Sequence, residues 1–295
     1  MTTFAGSTAL VTGGASGIGY LTGKRLLEQG LSHLVVWDVQ DDALARVVGE
    51  LTSLGHRVDG FRVDVTDLAQ VRDALGRMRA SGVHVDILVN NAGIVVGREF
   101  AAHTHDDVRR TMAVNALAPM HLALEILPGM LERRRGHVVN IASAAGLVSN
   151  PGMSVYCASK WAVIGWSDSL RIEMDRSRSS VQVTTVMPYY IDTGMFAGVR
   201  SRVLPILKPD DVAREIVAAI RKDRRFLYLP KTLGLLPLVR GLMPARLFDT
   251  IGGEWAGVYH SMRTFTGRVA APASAPSLLP PAPREPLAGQ RDRPE

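Results

Sequence analysis

Residues 7–30 read STALVTGGASGIGYLTGKRLLEQG, and their order decides what the rest of the chain can be. An apolar, β-branched run ends at Thr12, glycines follow at Gly13, Gly17 and Gly19, and Leu21, Leu26 and Leu27 form a stripe that stops at Gly30. This is a strand, a tight turn and a helix. Glycines at such a turn allow φ > 0 and let backbone N–H groups approach a pyrophosphate, whose charge the helix N-terminus favours. A tight turn that binds nothing is the plainer reading of the glycines alone.

The pattern continues along the chain. HLVVWD (33–38) is a second strand, followed by a polar helix, the strand-like RVDGFRVDV (57–65), another helix and VDILVNN (85–91). A helix over about 106–127, the strand GHVVNIAS (136–143), a helix over 154–176, the strand VQVTTVMP (181–188) and a seventh strand in FLYLP (226–230) complete the alternation. Such alternation predicts a doubly wound α/β fold, one parallel sheet of about seven strands with helices on both faces.

Composition narrows the field. With 295 residues, 46% of them hydrophobic, the chain has material for one large core. Its single cysteine, Cys157, excludes an internal disulfide and a cysteine-based zinc site, and no metal is expected. The opening residues lack a basic segment followed by a long apolar one, and no eighteen consecutive apolar residues occur. Neither secretion nor membrane spanning is expected, and a cytoplasmic location is the default. Of the net charge of +6, the excess lies in residues 161–270, which carry 16 Lys and Arg against 10 Asp and Glu. No aromatic-interleaved basic stripe accompanies it, so nucleic acid is not an expected partner. Beyond Gly267 the chain is dominated by Pro and Ala; the expected organisation is one domain over 1–267 and a disordered tail over 268–295.

Asp38 ends the second strand nineteen residues after Gly19, where a carboxylate can accept both ribose hydroxyls of an adenine dinucleotide. It would repel a 2′-phosphate, and neither Ala15, Ser16 nor Val39 supplies an arginine to welcome one, so NAD is favoured over NADP. A solvated loop carboxylate is the alternative.

Residues 156–160 read YCASK. Tyrosine ionises near pH 10, and bringing it close to 7 takes roughly 4 kcal/mol of preferential stabilisation of the phenolate. A lysine ammonium one helical turn away, Lys160, can supply part of that, and an oxidised nicotinamide more. The spacing alone is common in helices. Ser143, thirteen residues before Tyr156, ends a parallel strand at the edge where open α/β sheets bind ligands, and its hydroxyl can orient a substrate oxygen.

Together TGGASGIG (12–19), DV (64–65), NNAG (90–93), Asn115, Ser143 and YCASK resemble the short-chain dehydrogenase/reductase family in order and spacing over roughly 190 residues. The resemblance implies a Rossmann-type domain and hydride transfer, with Tyr156 as general acid/base and Ser143 bonded to the reacting oxygen. It implies that Lys160 holds the nicotinamide ribose and that Asn115 supports a water-linked proton relay. The cofactor-binding set it implies is Gly13, Ser16, Gly17, Ile18, Gly19, Asp38, Asp64, Val65, Asn91, Ala92, Gly93, Tyr156, Lys160, Pro188, Ile191 and Thr193. Asp64 and Val65 would line the adenine site, Thr193 would meet the carboxamide, and Asn90 reads as structural. Tyr189 stands where most members have glycine, which puts the local backbone and the pocket shape in question. Cys157 reads as a buried packing residue.

The later part of the chain resembles the retinol and 17β-hydroxysteroid dehydrogenase branch, through IDTGMF (191–196), the proline-bounded YLP (228–230) and the apolar LGLLPLVRGLMPARLF (233–248). Leucine-rich surface rimmed by Lys231, Arg240 and Arg246 suits a lid over a pocket for an apolar alcohol or ketone, a surface lying on an anionic membrane, or packing on a dimer mate. The lid is expected over about 189–255. No N-terminal hydrophobic anchor of the kind this branch often carries is evident, so membrane contact is expected to be peripheral at most. The resemblance also implies a homodimer or homotetramer, to which Trp161, Val163, Ile164 and Trp166 are open as interface or core. The expected activity is NAD-linked interconversion of an apolar alcohol and its carbonyl. The rivals are an NADPH-dependent carbonyl or ketoacyl reductase and a non-catalytic dinucleotide-sensing protein.

Overall fold

Seven short runs of β-branched and apolar residues pair into a single parallel sheet: β1 Thr8–Thr12, β2 His33–Asp38, β3 Val58–Arg62, β4 Ile87–Asn90, β5 Gly136–Ile141, β6 Val181–Pro188 and β7 Phe226–Leu229. The computed structural model describes residues 1–202, 204–255 and 257–267. The tail expected to be disordered lies outside the described residues. Strand order is β3-β2-β1-β4-β5-β6-β7, so the chain reverses direction across the sheet between β1 and β4. Ligands of open α/β sheets bind at that reversal, beyond the carboxyl ends of the strands.

The period-two alternation of the strands feeds two cores. Ala9, Val11, Leu34 and Val36 point to one face, under α1 (Gly17–Glu28), α2 (Asp41–Ser53) and α7 (Pro209–Arg221). Leu10, Val35, Trp37 and Leu88 point to the other, under α3 (Leu68–Ala80), α5 (Ala118–Glu132) and α6 (Ser154–Arg176). Each fully buried Leu or Val contributes about 1.5–3 kcal/mol of transfer free energy, which explains why strands this short persist.

The helix expected over 106–127 is longer and interrupted. It comprises α4 (His105–Met112), a wide turn at Ala113–Leu117 and α5, which continues through Pro128. Burial of Ile126 and Met130 around Pro128 offsets the backbone hydrogen bond that the proline forgoes. By length and composition His105–Glu132 could cross a membrane; here Leu122, Ile126 and Met130 bury one face of it in the second core.

Beyond β6, residues 189–202 leave the sheet and meet a second excursion after β7. This holds a short 3₁₀ turn at Lys231–Leu235, α8 (Leu236–Leu242), α9 (Ala245–Phe248) and a wide turn at Asp249–Trp255. Residues 257–267 then fold back: Thr266 N donates to Ala197 O at 2.9 Å and Arg200 N to Ser261 O at 3.3 Å. The cover therefore extends past 255, with Met262 and Phe265 packed on the cluster that holds Tyr156. Arg240 ties α8 to the body, donating to Leu147 O at 2.7 Å and lying 4.8 Å above the Trp161 ring.

Candidate active site

A cleft of about 360 Å³ runs over the carboxyl ends of β1, β4, β5 and β6. Among its walls are Gly13, Ser16, Gly17, Ile18, Asp38, Asp64, Val65, Asn91, Ala92, Gly93, Ser143, Tyr156, Lys160, Pro188, Ile191 and Thr193, so sixteen residues scattered through the sequence meet at one place. Two residues of the expected set, Gly19 and Asn115, do not line it.

The glycine turn is held by Asn91, whose Nδ2 donates to Thr12 O at 2.8 Å and Gly13 O at 3.0 Å. Gly13 and Gly17 have φ of +60° and +56°, the left-handed region that disfavours side chains. Gly19 is inside α1, and a side chain there would begin 2.4 Å from Asn91 Nδ2 and from Gly13 O. The absence of a side chain at Gly19 lets α1 close on the turn. Ser16 caps α1 in an extended conformation, yet its hydroxyl makes no capping bond to its own helix. Free N–H groups, an uncommitted hydroxyl and an open cleft suit the phosphates of a dinucleotide. Thr193 hangs over this turn, 3.6 Å from where a Gly17 side chain would begin.

At the far end, Asp38 is held in place by Ala15 N at 3.0 Å and Val39 N at 2.8 Å. Its carboxylate is thereby fixed to the cleft rather than solvated at random. Asp64 binds Thr66 through N (2.9 Å) and Oγ1 (2.7 Å), shaping the loop that carries Val65 to the cleft.

Tyr156 and Lys160 project from the first turns of α6, and both are buried. Burial pushes the Tyr156 hydroxyl well above its ordinary value, and the neighbouring Ser143 hydroxyl brings it partly back. Burial pulls Lys160 down to about 8, and its Nζ donates to Ile141 O at 2.9 Å. The Lys160 ammonium lies 5.7 Å from the tyrosine ring centre and is anchored to the main chain. Ser143 lies two residues beyond β5 in an extended conformation, with its Oγ accepting from Ala145 N at 3.1 Å.

Asn115 sits in the wide turn before α5, a distortion common at functional positions. Its Oδ1 accepts from Ile94 N (2.8 Å), and its Nδ2 donates to Ile94 O (2.9 Å) and Ser159 Oγ (3.0 Å). It braces the segment after β4 against α6. A side chain at Gly93 would come within 3.4 Å of Asn115 Oδ1 and 3.8 Å of Lys160 Nζ, so both atoms face the same small space. Asn90 is structural as expected, donating to Asn140 Oδ1 at 2.8 Å.

Tyr189 strains nothing. Among the described residues its φ is not positive, and its N–H extends the β6–β7 ladder to Leu229 O at 2.8 Å. Its hydroxyl meets Ser201 Oγ at 3.0 Å and its ring packs edge-on to Tyr190 at 4.7 Å. The ring stands between the cleft and a second, apolar cavity of about 260 Å³ lined by Leu233, Leu236, Val239, Met243 and Phe248 from the lid. Ser143 and Tyr156 line both spaces. Phe196, edge-on to Tyr156 at 5.8 Å, also lines both; it ends the IDTGMF stretch, where the motif assigns it no role, and Arg110 at the cleft lies in no motif. Cys157 is buried beside them, and burial raises its thiol above the ordinary value, consistent with packing.

A nucleotide-type cleft meeting an apolar cavity at a paired Ser and Tyr hydroxyl is the arrangement of an oxidoreductase that works on a bound oxygen. A family model described as short chain dehydrogenase matches residues 7–203. Epidermal retinol dehydrogenase 2 of Mus musculus is 34% identical over 274 residues, covering 90% of this chain and 86% of that protein. 17-beta-hydroxysteroid dehydrogenase 13 of Rattus norvegicus is 29% identical over 248 residues, covering 84% and 82%. A solved short chain dehydrogenase/reductase from Burkholderia phymatum, in complex with NAD, superposes with a TM-score of 0.73 at 29% identity, over 85% of this chain and 96% of that one. The chain belongs to the short chain dehydrogenase family and is a dinucleotide-dependent oxidoreductase of CH–OH groups.

Proposed function

We propose that the protein interconverts an apolar alcohol and its carbonyl with NAD. The observation that carries this reading is the Ser143–Tyr156 pair on the shared wall between the cleft and the apolar cavity. A bound nicotinamide dinucleotide supplies the hydride acceptor or donor. Tyr156 takes the alcohol proton at the substrate oxygen, or returns it in the reverse direction, while Ser143 holds that oxygen in place. Lys160 and Asp38 hold ribose hydroxyls at the two ends of the cleft, and α1 receives the phosphates. Asn115 braces Ile94 and Ser159 and bounds the space beside Lys160 Nζ that a relay water would occupy.

Two surfaces suggest partners. Leu235, Leu238, Leu242 and Trp255 on the lid are each more than 60% exposed near Lys231, Arg240 and Arg246, which suits peripheral contact with an anionic membrane from a cytoplasmic location. Leu117, Leu124 and Leu131 recur at seven-residue spacing along the exposed side of the helix that carries Asn115, and Trp161 and Ile172 are exposed on α6. That face suits self-association into a homodimer or homotetramer.

The cofactor assignment has a specific rival. Arg46, on α2, reaches Ala15 O at 3.4 Å and places a guanidinium near the Asp38 end, where it would favour a 2′-phosphate. The test is reduction of NAD and of NADP over a panel of apolar alcohols. Turnover with NAD exceeding that with NADP supports the proposal, and the opposite preference refutes the Asp38 argument.

A further inference from the structure

Four residues line both the cleft and the apolar cavity: Ser143, Tyr156, Tyr189 and Phe196. A reacting carbon has to sit among them, because its oxygen meets the two hydroxyls, its hydride faces the cleft and its apolar body fills the cavity. The proton and hydride chemistry gives Ser143 and Tyr156 their work and leaves the two rings without any. Both rings are only half-buried, so each presents open surface to the neck between the two spaces.

The rings are held in place. Tyr189 is fixed at both ends: its N–H donates to Leu229 O at 2.8 Å, and its hydroxyl meets Ser201 Oγ at 3.0 Å. Ser201 gives its own proton to Leu204 O at 2.6 Å, so the tyrosine is the donor in that pair. The Tyr189 ring packs edge-on to Tyr190 at 4.7 Å, and Tyr190 packs edge-on to Phe196 at 5.1 Å. Tyr190 is pinned through its hydroxyl, which accepts from Asn150 Nδ2 at 2.9 Å and lies 2.9 Å from Ser261 Oγ. Asn150 also donates to Ser261 at 2.8 Å, which closes a buried triangle behind the rings. Phe196 is wedged between Tyr190 and Tyr156. Displacing either ring gives up edge-on contacts and, for Tyr189, a hydrogen bond.

A carbinol carbon carries four groups. With the transferred hydrogen toward the cleft, the oxygen on Ser143 and Tyr156 and the chain in the cavity, the fourth position is left to the rings. A hydrogen fits there, whereas a carbon has to displace an anchored aromatic side chain, and overpacking against fixed neighbours is unfavourable. We propose that Tyr189, backed by Phe196, is a specificity-determining residue and that the preferred substrates are primary apolar alcohols and their aldehydes rather than secondary alcohols and ketones. This rests on the apolar-alcohol reading above and deepens it by dividing such alcohols into two classes.

The experiment uses the full chain with NAD and two primary alcohols, decanol and phenylpropanol. Each is compared with both enantiomers of the methyl carbinol that bears the same chain. Secondary alcohols are intrinsically the easier to oxidise, so a preference for the primary member has to come from the pocket. The wild type is expected to favour it by about tenfold or more in kcat/KM, the discrimination a pocket achieves against one extra carbon. Tyr189→Ala is expected to bring the pair close to parity, Phe196→Ala to shift it the same way, and Tyr189→Phe, which keeps the ring, to retain the preference. General damage to the fold lowers both members alike and leaves the ratio unmoved. Where Tyr189→Ala does not fold, Tyr189→Leu takes its place. Equal or better use of the secondary alcohols by the wild type, or a primary preference that survives removal of the Tyr189 ring, overturns the proposal. If no alcohol turns over, the activity reading fails separately. Thermal stabilisation of the NAD-saturated wild type then decides: more by the primary member than by the methyl carbinol supports the neck, and equality overturns it.

Discussion

Replacing Gly19 with alanine adds one methyl at the point where helix α1 closes on the glycine turn. The new carbon would begin 2.4 Å from Gly13 O, which is main chain, and 2.4 Å from Asn91 Nδ2, which holds Thr12 O and Gly13 O. Overpacking of this kind costs about 1–3 kcal/mol. Losing the two Asn91 bonds adds about 1 kcal/mol each. Alanine returns about 1 kcal/mol through its better helix propensity, leaving a net loss of about 2–4 kcal/mol. Gly49, within α2, has no heavy atom within 4 Å of an added Cβ and serves as the control. There the same substitution should stabilise by about 0.5–1 kcal/mol. Thermal unfolding followed by circular dichroism should show Gly19→Ala melting about 5–15 °C below wild type and Gly49→Ala slightly above it. If Gly19→Ala melts with or above the wild type, the close approach of α1 to the turn is not as described.

Other expectations concern charge. In the cofactor-free protein Lys160 is held down to about 8 by burial, below its unfolded value, so the unfolded chain binds the extra proton between those values and stability rises with pH across that window. Denaturant titrations at stepped pH should show a gain of about 3 kcal/mol that disappears in Lys160→Met; equal slopes in both proteins would contradict it. His137, buried between Thr2 Oγ1 (2.9 Å) and Thr184 Oγ1 (2.8 Å), is pulled down to about 4 by burial. As pH falls the unfolded chain is protonated first, so stability should drop by about 3 kcal/mol between about pH 6.5 and 4, a limb that His137→Gln flattens. Asp38→Asn removes the charge that repels a 2′-phosphate and should shift the NAD-to-NADP ratio of kcat/KM toward NADP by about tenfold or more; an unchanged ratio would remove Asp38 from cofactor choice.

The sheet was legible because a parallel strand buried on both faces is written as a run such as HLVVWD or VVNI, and each helix carries its own apolar stripe. The cleft was legible for the same reason: its residues follow strand ends, and strand ends are where the pattern breaks. What escaped depends on geometry that has no period. The wide turn at Ala113–Leu117 looks like ordinary helix in composition, yet it places Asn115. Tyr189 looked disruptive because glycine is usual there, but the backbone around it needs no positive φ. The fold-back of residues 257–267 and the Asn150–Tyr190–Ser261 cluster join loops up to 111 residues apart, and nothing local marks either partner.

The central claim is that Tyr156 moves the proton at the substrate oxygen. Tyr156→Phe removes one hydroxyl from a ring that packs edge-on to Phe196 at 5.8 Å and leaves the ring itself in place. The measurement is kcat with NAD on the best apolar alcohol, alongside NAD affinity by calorimetry, for wild type and Tyr156→Phe. The account predicts NAD affinity lowered by no more than about tenfold, the worth of one hydroxyl contact, with kcat lowered by about a hundredfold to ten-thousandfold, the range of general acid–base catalysis. Retained turnover in Tyr156→Phe would contradict it.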